Sequence, residues 1–136
     1  LIEACAGDLL RYRRQIGAER VAILADIKKK HSAHAITADV VLAETARTAA
    51  FCGADGIVIT GTRTGVAPDP SELQSAGAAV DTPILVGSGV TPENLAAFAP
   101  WVHGVIAGSA LKVDGHWANP VDPQRLERLV KAWRQA

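Results

Sequence analysis

Hydrophobic positions along this chain switch back and forth between two spacings. From Leu1 to Gln15, the residues Leu1, Ile2, Cys5, Leu9, Leu10 and Tyr12 recur at helical intervals, and Gly17 marks a stop. Val21 to Ala25 is then a short, unbroken apolar run, the signature of a strand buried on both faces. Thr37 and Asp39 can cap a helix reaching about Cys52 through Val40, Val41, Ala43, Ala46 and Ala49, closed by Gly53. Gly56 to Thr60 is a second buried strand. Pro70 and Ser71 open an Ala-rich helix ending near Val80, and Pro83 to Val86 is a third strand. Thr91-Pro92-Glu93 predicts another helix, with Thr91 as N-cap and proline at the first helical position. Gly104 to Ala107 is a fourth strand, and Asp122-Pro123 starts a last helix ending near Arg134.

The order is therefore one helix followed by four strand-helix units. Buried strands alternating with helices predict an α/β fold with parallel strands and right-handed crossovers. Such units close either as an open doubly wound sheet or as part of a barrel. A whole (β/α)8 barrel takes about 250 residues, and this chain has 136. Four strands left open would expose two edges, which natural proteins avoid. The expectation is half of a (β/α)8 barrel, residues 1–136 forming a single partial domain without its N-terminal half. It would pair with that missing half or with another copy of itself. The chain opens on Leu1, inside an amphipathic stretch, so its first residue is not expected to be the start of the gene.

Composition narrows the picture without redirecting it. With 49% hydrophobic and 21% charged residues, the chain has enough apolar content for a core. Basic and acidic side chains number 14 each, so no overall field draws it to nucleic acid or to anionic membrane. No apolar run approaches the length of a membrane span, and no signal-peptide pattern opens the chain. Cys5 and Cys52 lie far apart, outside any CxxC pair, and read as small buried hydrophobes in a reducing cytoplasm. Trp101, Trp117 and Trp133 read as packing residues.

In folds of this kind the chemistry sits where strands pass into helices at their C-terminal ends. Gly87-Ser88-Gly89 follows the third strand and Gly108-Ser109 the fourth. Glycines there let backbone N–H groups approach an oxyanion, helix N-termini add partial positive charge, and the serine hydroxyls can donate further bonds. Two such turns on neighbouring strands predict one phosphate site. Barrel phosphate sites use the loops after strands seven and eight, which makes these strands the fifth to eighth and the chain the C-terminal half. Thr60-Gly61-Thr62-Arg63-Thr64-Gly65 follows the second strand. It reads either as a substrate loop, with Thr60, Gly61, Arg63 and Thr64 on sugar hydroxyls or a second anion, or as a solvated loop with capping threonines. Asp26-Ile27-Lys28 follows the first strand. Regular alternation would aim Asp26 and Lys28 together into the barrel mouth, as an acid/base pair, a Schiff-base lysine or a structural ion pair. His31 and His34 are too few to argue a metal site, and neither a metal nor a cofactor is expected. Lys112 lies beyond the last turn, either near the phosphate or on the surface.

The segments DIKKKHSAH, ADVVLAETARTAAFCGADGIVITGTRTG, PILVGSGVTPENL and GVIAGSALKVDG, in this order, resemble the BtpA/SgcQ family across nearly the whole chain. The resemblance implies a ribulose-phosphate-binding type of TIM barrel. It also implies two functional directions. One is an enzyme on a phosphorylated small molecule, a sugar phosphate or nucleotide-like compound, acting by acid/base chemistry as an isomerase, epimerase or aldolase. The other is a non-catalytic assembly or stability factor, since one cyanobacterial member is associated with photosystem I biogenesis. The family pattern is a full barrel, from which this chain departs by lacking the first four units.

Overall fold

Strands form where the sequence runs apolar, and the register decides which of their faces each side chain serves. In a computed structural model, which describes residues 5–29, 37–61 and 65–136, α1 spans Ala6–Gln15, β1 Leu24–Lys28 and α2 Leu42–Phe51. β2 spans Gly56–Thr60, α3 Pro70–Gly77, β3 Ile84–Gly87, β4 Gly104–Ile106 and α4 Pro123–Gln135. The four strands are all parallel and stand in chain order, β1-β2-β3-β4. An open doubly wound sheet reverses its order at a switch point. An unreversed order with right-handed crossovers keeps every helix on one face, as in an arc of a (β/α)8 barrel. The fold is the C-terminal half of such a barrel.

Ile57, Ile59, Ile84 and Val86 are fully buried on the helix side, against Ala46 of α2 and Leu73 and Ala76 of α3. The alternate residues point to the concave face. There an ideal Cβ on Gly56 would stand 2.6 Å from Leu24 Cδ2 and 3.4 Å from Leu85 Cδ1. Large side chains from alternate strands thus close over a glycine between them, the stacking rule of a barrel interior.

The helices α3 and α4 start where expected, each on an aspartate N-cap. Asp122 caps α4 by accepting from the Gln124 and Arg125 N–H groups, and Asp69 caps α3 through Ser71. The helix expected after Thr91 is instead two short 3-10 turns, Leu95–Ala97 and Ala99–Trp101. Pro100 has no N–H to give the Ala96 carbonyl and its ring crowds that carbonyl, so an α-helix cannot run through it. β1 begins three residues later than the apolar run suggests. The Val21 N–H closes a turn onto Ala18, the Val21 carbonyl accepts from Arg13, and the Ile23 N–H goes to Asp55. α2 starts at Leu42 with Val41 as its N-cap and no side-chain cap, so neither Thr37 nor Asp39 caps it, and the Thr37 carbonyl accepts from the Val40 N–H. Cys5 and Cys52 are exposed, not buried: α1 buries none of its residues, and Cys52 lies just beyond the end of α2. Trp133 packs on the core, whereas Trp117 is exposed and stacks on His116.

Asp55 joins α1 to the strands at their N-terminal end, where it accepts from the Ile23 N–H at 2.7 Å and from Arg13 at 2.6 Å. The Ile23 N–H, and then the Arg13 guanidinium, hold its carboxyl below the ordinary value of 3.8. A depressed folded value means that the stabilisation is complete above the unfolded pKa and is lost as pH falls through the folded one. Thermal melts should therefore show Asp55→Ala less stable than the parent at neutral pH. The gap should close progressively below about pH 4. A gap that stays constant down to pH 2 would mean that the carboxylate charge has no part in the linkage.

Candidate functional site

The C-terminal ends of the strands meet in one cavity of about 460 Å³. Asp26 of β1, Val58 and Thr60 of β2, and Ile106 of β4 form its floor, while Gly87–Thr91 and Ala107–Ala110 form its rim. The two Gly-Ser turns thus open side by side onto a shared space, as their adjacency in the sheet requires. Among the described residues, the backbone N–H groups of Gly89, Gly108 and Ser109 donate to no carbonyl of the chain. The Ser88 N–H does not belong with them, because it donates to the Ile106 carbonyl at 3.2 Å and ties the first turn to β4.

Each residue of the first turn has a distinct local cause. Ser88 has φ of 74°, a left-handed conformation that costs a non-glycine residue roughly 1–2 kcal/mol. Its Oγ accepts from the Gly65 N–H at 3.2 Å, which leaves the hydroxyl hydrogen available to a ligand. Gly89 has φ of 68°, and a Cβ there would lie 2.3 Å from the Ala67 nitrogen. A Cβ on Gly61 would lie 2.1 Å from the Val66 carbonyl oxygen. The loop after β2 therefore returns across both glycines in backbone contact. The close approach of that neighbouring loop alone requires glycine at 89, whether or not its N–H also meets a ligand. Gly108 is different: a Cβ there meets no atom within 4 Å.

Asn94 shapes the turn and carries no role in the sequence pattern above. Its Oδ1 accepts from the Thr91 N–H and its Nδ2 donates to the Gly89 carbonyl, both at 2.8 Å. The signal is present as an asparagine three residues after a threonine, a local side-chain to backbone pattern that competes with helix. The second turn continues into a three-residue 3-10 turn, Ser109–Leu111. With 3-10 turns after both strands, a helix macrodipole adds little, and free amides and hydroxyls are what the rim offers an anion.

The expected Asp26–Lys28 pair is not formed. The register shifts between Asp26, opposite Val58, and Lys28, opposite Ile59, so Ile27 is an extra residue. A bulge of this kind reverses the face of the residues beyond it. Asp26 stays on the cavity floor, with its Oδ1 accepting from the Lys28 N–H at 3.2 Å, while the Lys28 ammonium bonds to Glu72 of α3. Lys28 is not among the cavity residues, and Asp26 is the one titratable side chain among the described residues that line it. Thr60 is buried, with its hydroxyl on the Lys28 carbonyl across the bulge. Lys112 does not line the cavity; it forms a backbone bridge with Val121. Arg63 and Thr64 of the substrate loop, and His31 and His34, lie outside the described residues. No cluster of metal-ligating side chains occurs among the described residues.

A profile of the BtpA family matches residues 1–135. An uncharacterised mitochondrial protein of Caenorhabditis elegans is 44% identical over 130 residues, covering 96% of this chain and 47% of that protein. Photosystem I biogenesis protein BtpA of Synechocystis is 38% identical over 133 residues, covering 97% of this chain and 46% of that protein. The chain thus spans about half the length of these curated relatives. Among solved structures, (S)-3-O-geranylgeranylglyceryl phosphate synthase of Thermoplasma acidophilum, in complex with sn-glycerol-1-phosphate, superposes with a TM-score of 0.67 at 14% identity. It is covered to 57%, and this chain to 96%. A native KDPGal structure superposes with a TM-score of 0.62 at 24% identity, covering 90% of this chain and 52% of that one. These likenesses establish the fold. No helix among the described residues is long and apolar enough to cross a membrane.

Proposed function

The chain belongs to the BtpA family, and from that premise we propose that it carries the phosphate-binding half of a barrel acting on a phosphorylated small molecule. The observation that carries this reading is the shared cavity. Gly87-Ser88-Gly89 and Gly108-Ser109 line it together, with three backbone N–H groups that donate to no carbonyl among the described residues. A phosphate seated there would share the cavity with Asp26, and binding energy at the phosphate is what orients the rest of a substrate for reaction. The complex of the Thermoplasma synthase with a glycerol phosphate supports the same class of ligand. Asp26 is the acid/base group of this reading, for an isomerase, epimerase or aldolase type of step, and Thr60, Gly61, Arg63 and Thr64 belong to its substrate side. A second reading has support in the name of the Synechocystis relative. There the barrel is an assembly or stability factor, and the cavity need not turn anything over.

Titration of the isotopically labelled chain with inorganic phosphate tests the anchor. Amide resonances of Gly89, Gly108 and Ser109 should move together along one binding curve. Ser109→Asp, which sets a like charge at the rim, should weaken that curve about tenfold or more, roughly 1.4 kcal/mol. Shifts confined to other residues, or an unaltered curve for Ser109→Asp, would remove the phosphate site.

A further inference from the structure

The chain leaves β3 through two consecutive residues in the left-handed region, Ser88 and Gly89. A serine does not hold that conformation unaided, so contacts from outside the turn must fix it. Asn94 supplies two of them. Its Oδ1 accepts from the Thr91 N–H and its Nδ2 donates to the Gly89 carbonyl, both at 2.8 Å. One side-chain amide, an acceptor and a donor at the same end, thus ties down both ends of Gly89–Thr91. The bond to Thr91 is a local cap. The bond to Gly89 has a further consequence, because fixing a carbonyl fixes the whole peptide plane it belongs to.

The peptide joining Gly89 to Val90 is planar and trans, so its N–H points opposite to its C=O. With the Gly89 carbonyl turned to Asn94, the Val90 N–H is turned away from Asn94. Asn94 does not line the cavity, whereas Gly89 and Val90 do. The Val90 side chain belongs to the core, and the residue is only 1% exposed. Its N–H donates to no acceptor among the described residues. A buried amide without an acceptor costs about as much as a lost hydrogen bond, and native structures keep few of them. Gly89, Gly108 and Ser109 are more open, so water can serve their amides and they make no comparable demand.

We infer that the Val90 N–H is a further donor to the bound oxyanion, and that Asn94 is the positioning residue that aims it into the cavity. The inference rests on the phosphate reading and deepens it. The first turn gives the anion the amides of Gly89 and Val90, and the second gives those of Gly108 and Ser109. Asn94 touches no ligand and acts through the peptide it holds. Without its donor the Gly89 carbonyl is released, and the plane can turn over to set a carbonyl oxygen where the anion belongs.

Titration of the isotopically labelled 136-residue chain with inorganic phosphate reads the Val90 amide directly. Its resonance should follow the same binding curve as those of Gly108 and Ser109. Asn94→Ser keeps a neutral acceptor beside the Thr91 N–H, but its shorter side chain does not reach the Gly89 carbonyl. In that variant the dissociation constant should rise about tenfold or more, the effect of losing one hydrogen bond to a charged group. Val90 should also leave the binding curve while Gly108 and Ser109 stay on it; a merely structural role for Asn94 would weaken all the amide responses together. A Val90 amide that stays still in the parent while Gly108 and Ser109 move would overturn the inference and leave the phosphate site standing, and so would parental affinity in Asn94→Ser. If none of the four amides responds, the site and this inference fall together. The first of these readings needs only the parent chain, so an unstable variant does not shield the inference.

Discussion

Replacing Gly89 with alanine should unfold the site and abolish anion binding, whereas Gly108→Ala should leave the fold intact and weaken binding alone. At Gly89 the new Cβ would stand 2.3 Å from the Ala67 nitrogen and 2.4 Å from the Val66 carbonyl carbon. Both are backbone atoms of a loop that is already pinned by Ser88, so neither yields as a flexible side chain would. The φ of 68° adds its own penalty of roughly 1–2 kcal/mol. The sum should reach at least about 3 kcal/mol, among the larger effects of single substitutions. At Gly108, which lines the cavity, a Cβ meets nothing within 4 Å. Chemical denaturation of the two variants beside phosphate titration separates the cases. Equal stabilities would show that loop packing is not what demands glycine at 89.

That contrast marks how far the sequence is legible. The order of strands and helices comes from apolar runs such as Ile57-Val58-Ile59 and from caps such as Asp122-Pro123, because burial on both faces and N-capping leave local traces. The pairing of the two Gly-Ser turns is legible as well, since adjacent parallel strands end on the same rim. The illegible part is set by contacts distant in sequence. Why position 89 must be glycine is illegible because nothing local announces that Val66 and Ala67 lie against it. The Thr91 helix has strong start signals, while Pro100, nine positions on, denies it continuation. Lys28 points inward only if alternation holds through Ile27, and a bulge has no dependable sequence mark.

The bulge changes which substitution distinguishes an enzyme from an assembly factor. With regular alternation Lys28→Ala would be the decisive variant. Lys28 instead bonds to Glu72 across a partly exposed ion pair, so its loss should lower stability by no more than about 1 kcal/mol and leave phosphate binding unchanged. Asp26 is the group on the cavity floor, and Asp26→Asn keeps its shape and its acceptor for the Lys28 N–H while removing the charge and the basicity. If the cavity performs proton transfer on a phosphorylated substrate, turnover by the completed barrel should fall about 10²–10⁴-fold in Asp26→Asn, with phosphate affinity retained. The size of that loss is what a positioned general base contributes, and affinity survives because the anchor lies on other residues. Partner stabilisation, by contrast, would be indifferent to the same change. A variant that turns over substrate at the parental rate would strip Asp26 of the role, and one that loses phosphate affinity as well would show that the floor and the rim are not separate parts of the site.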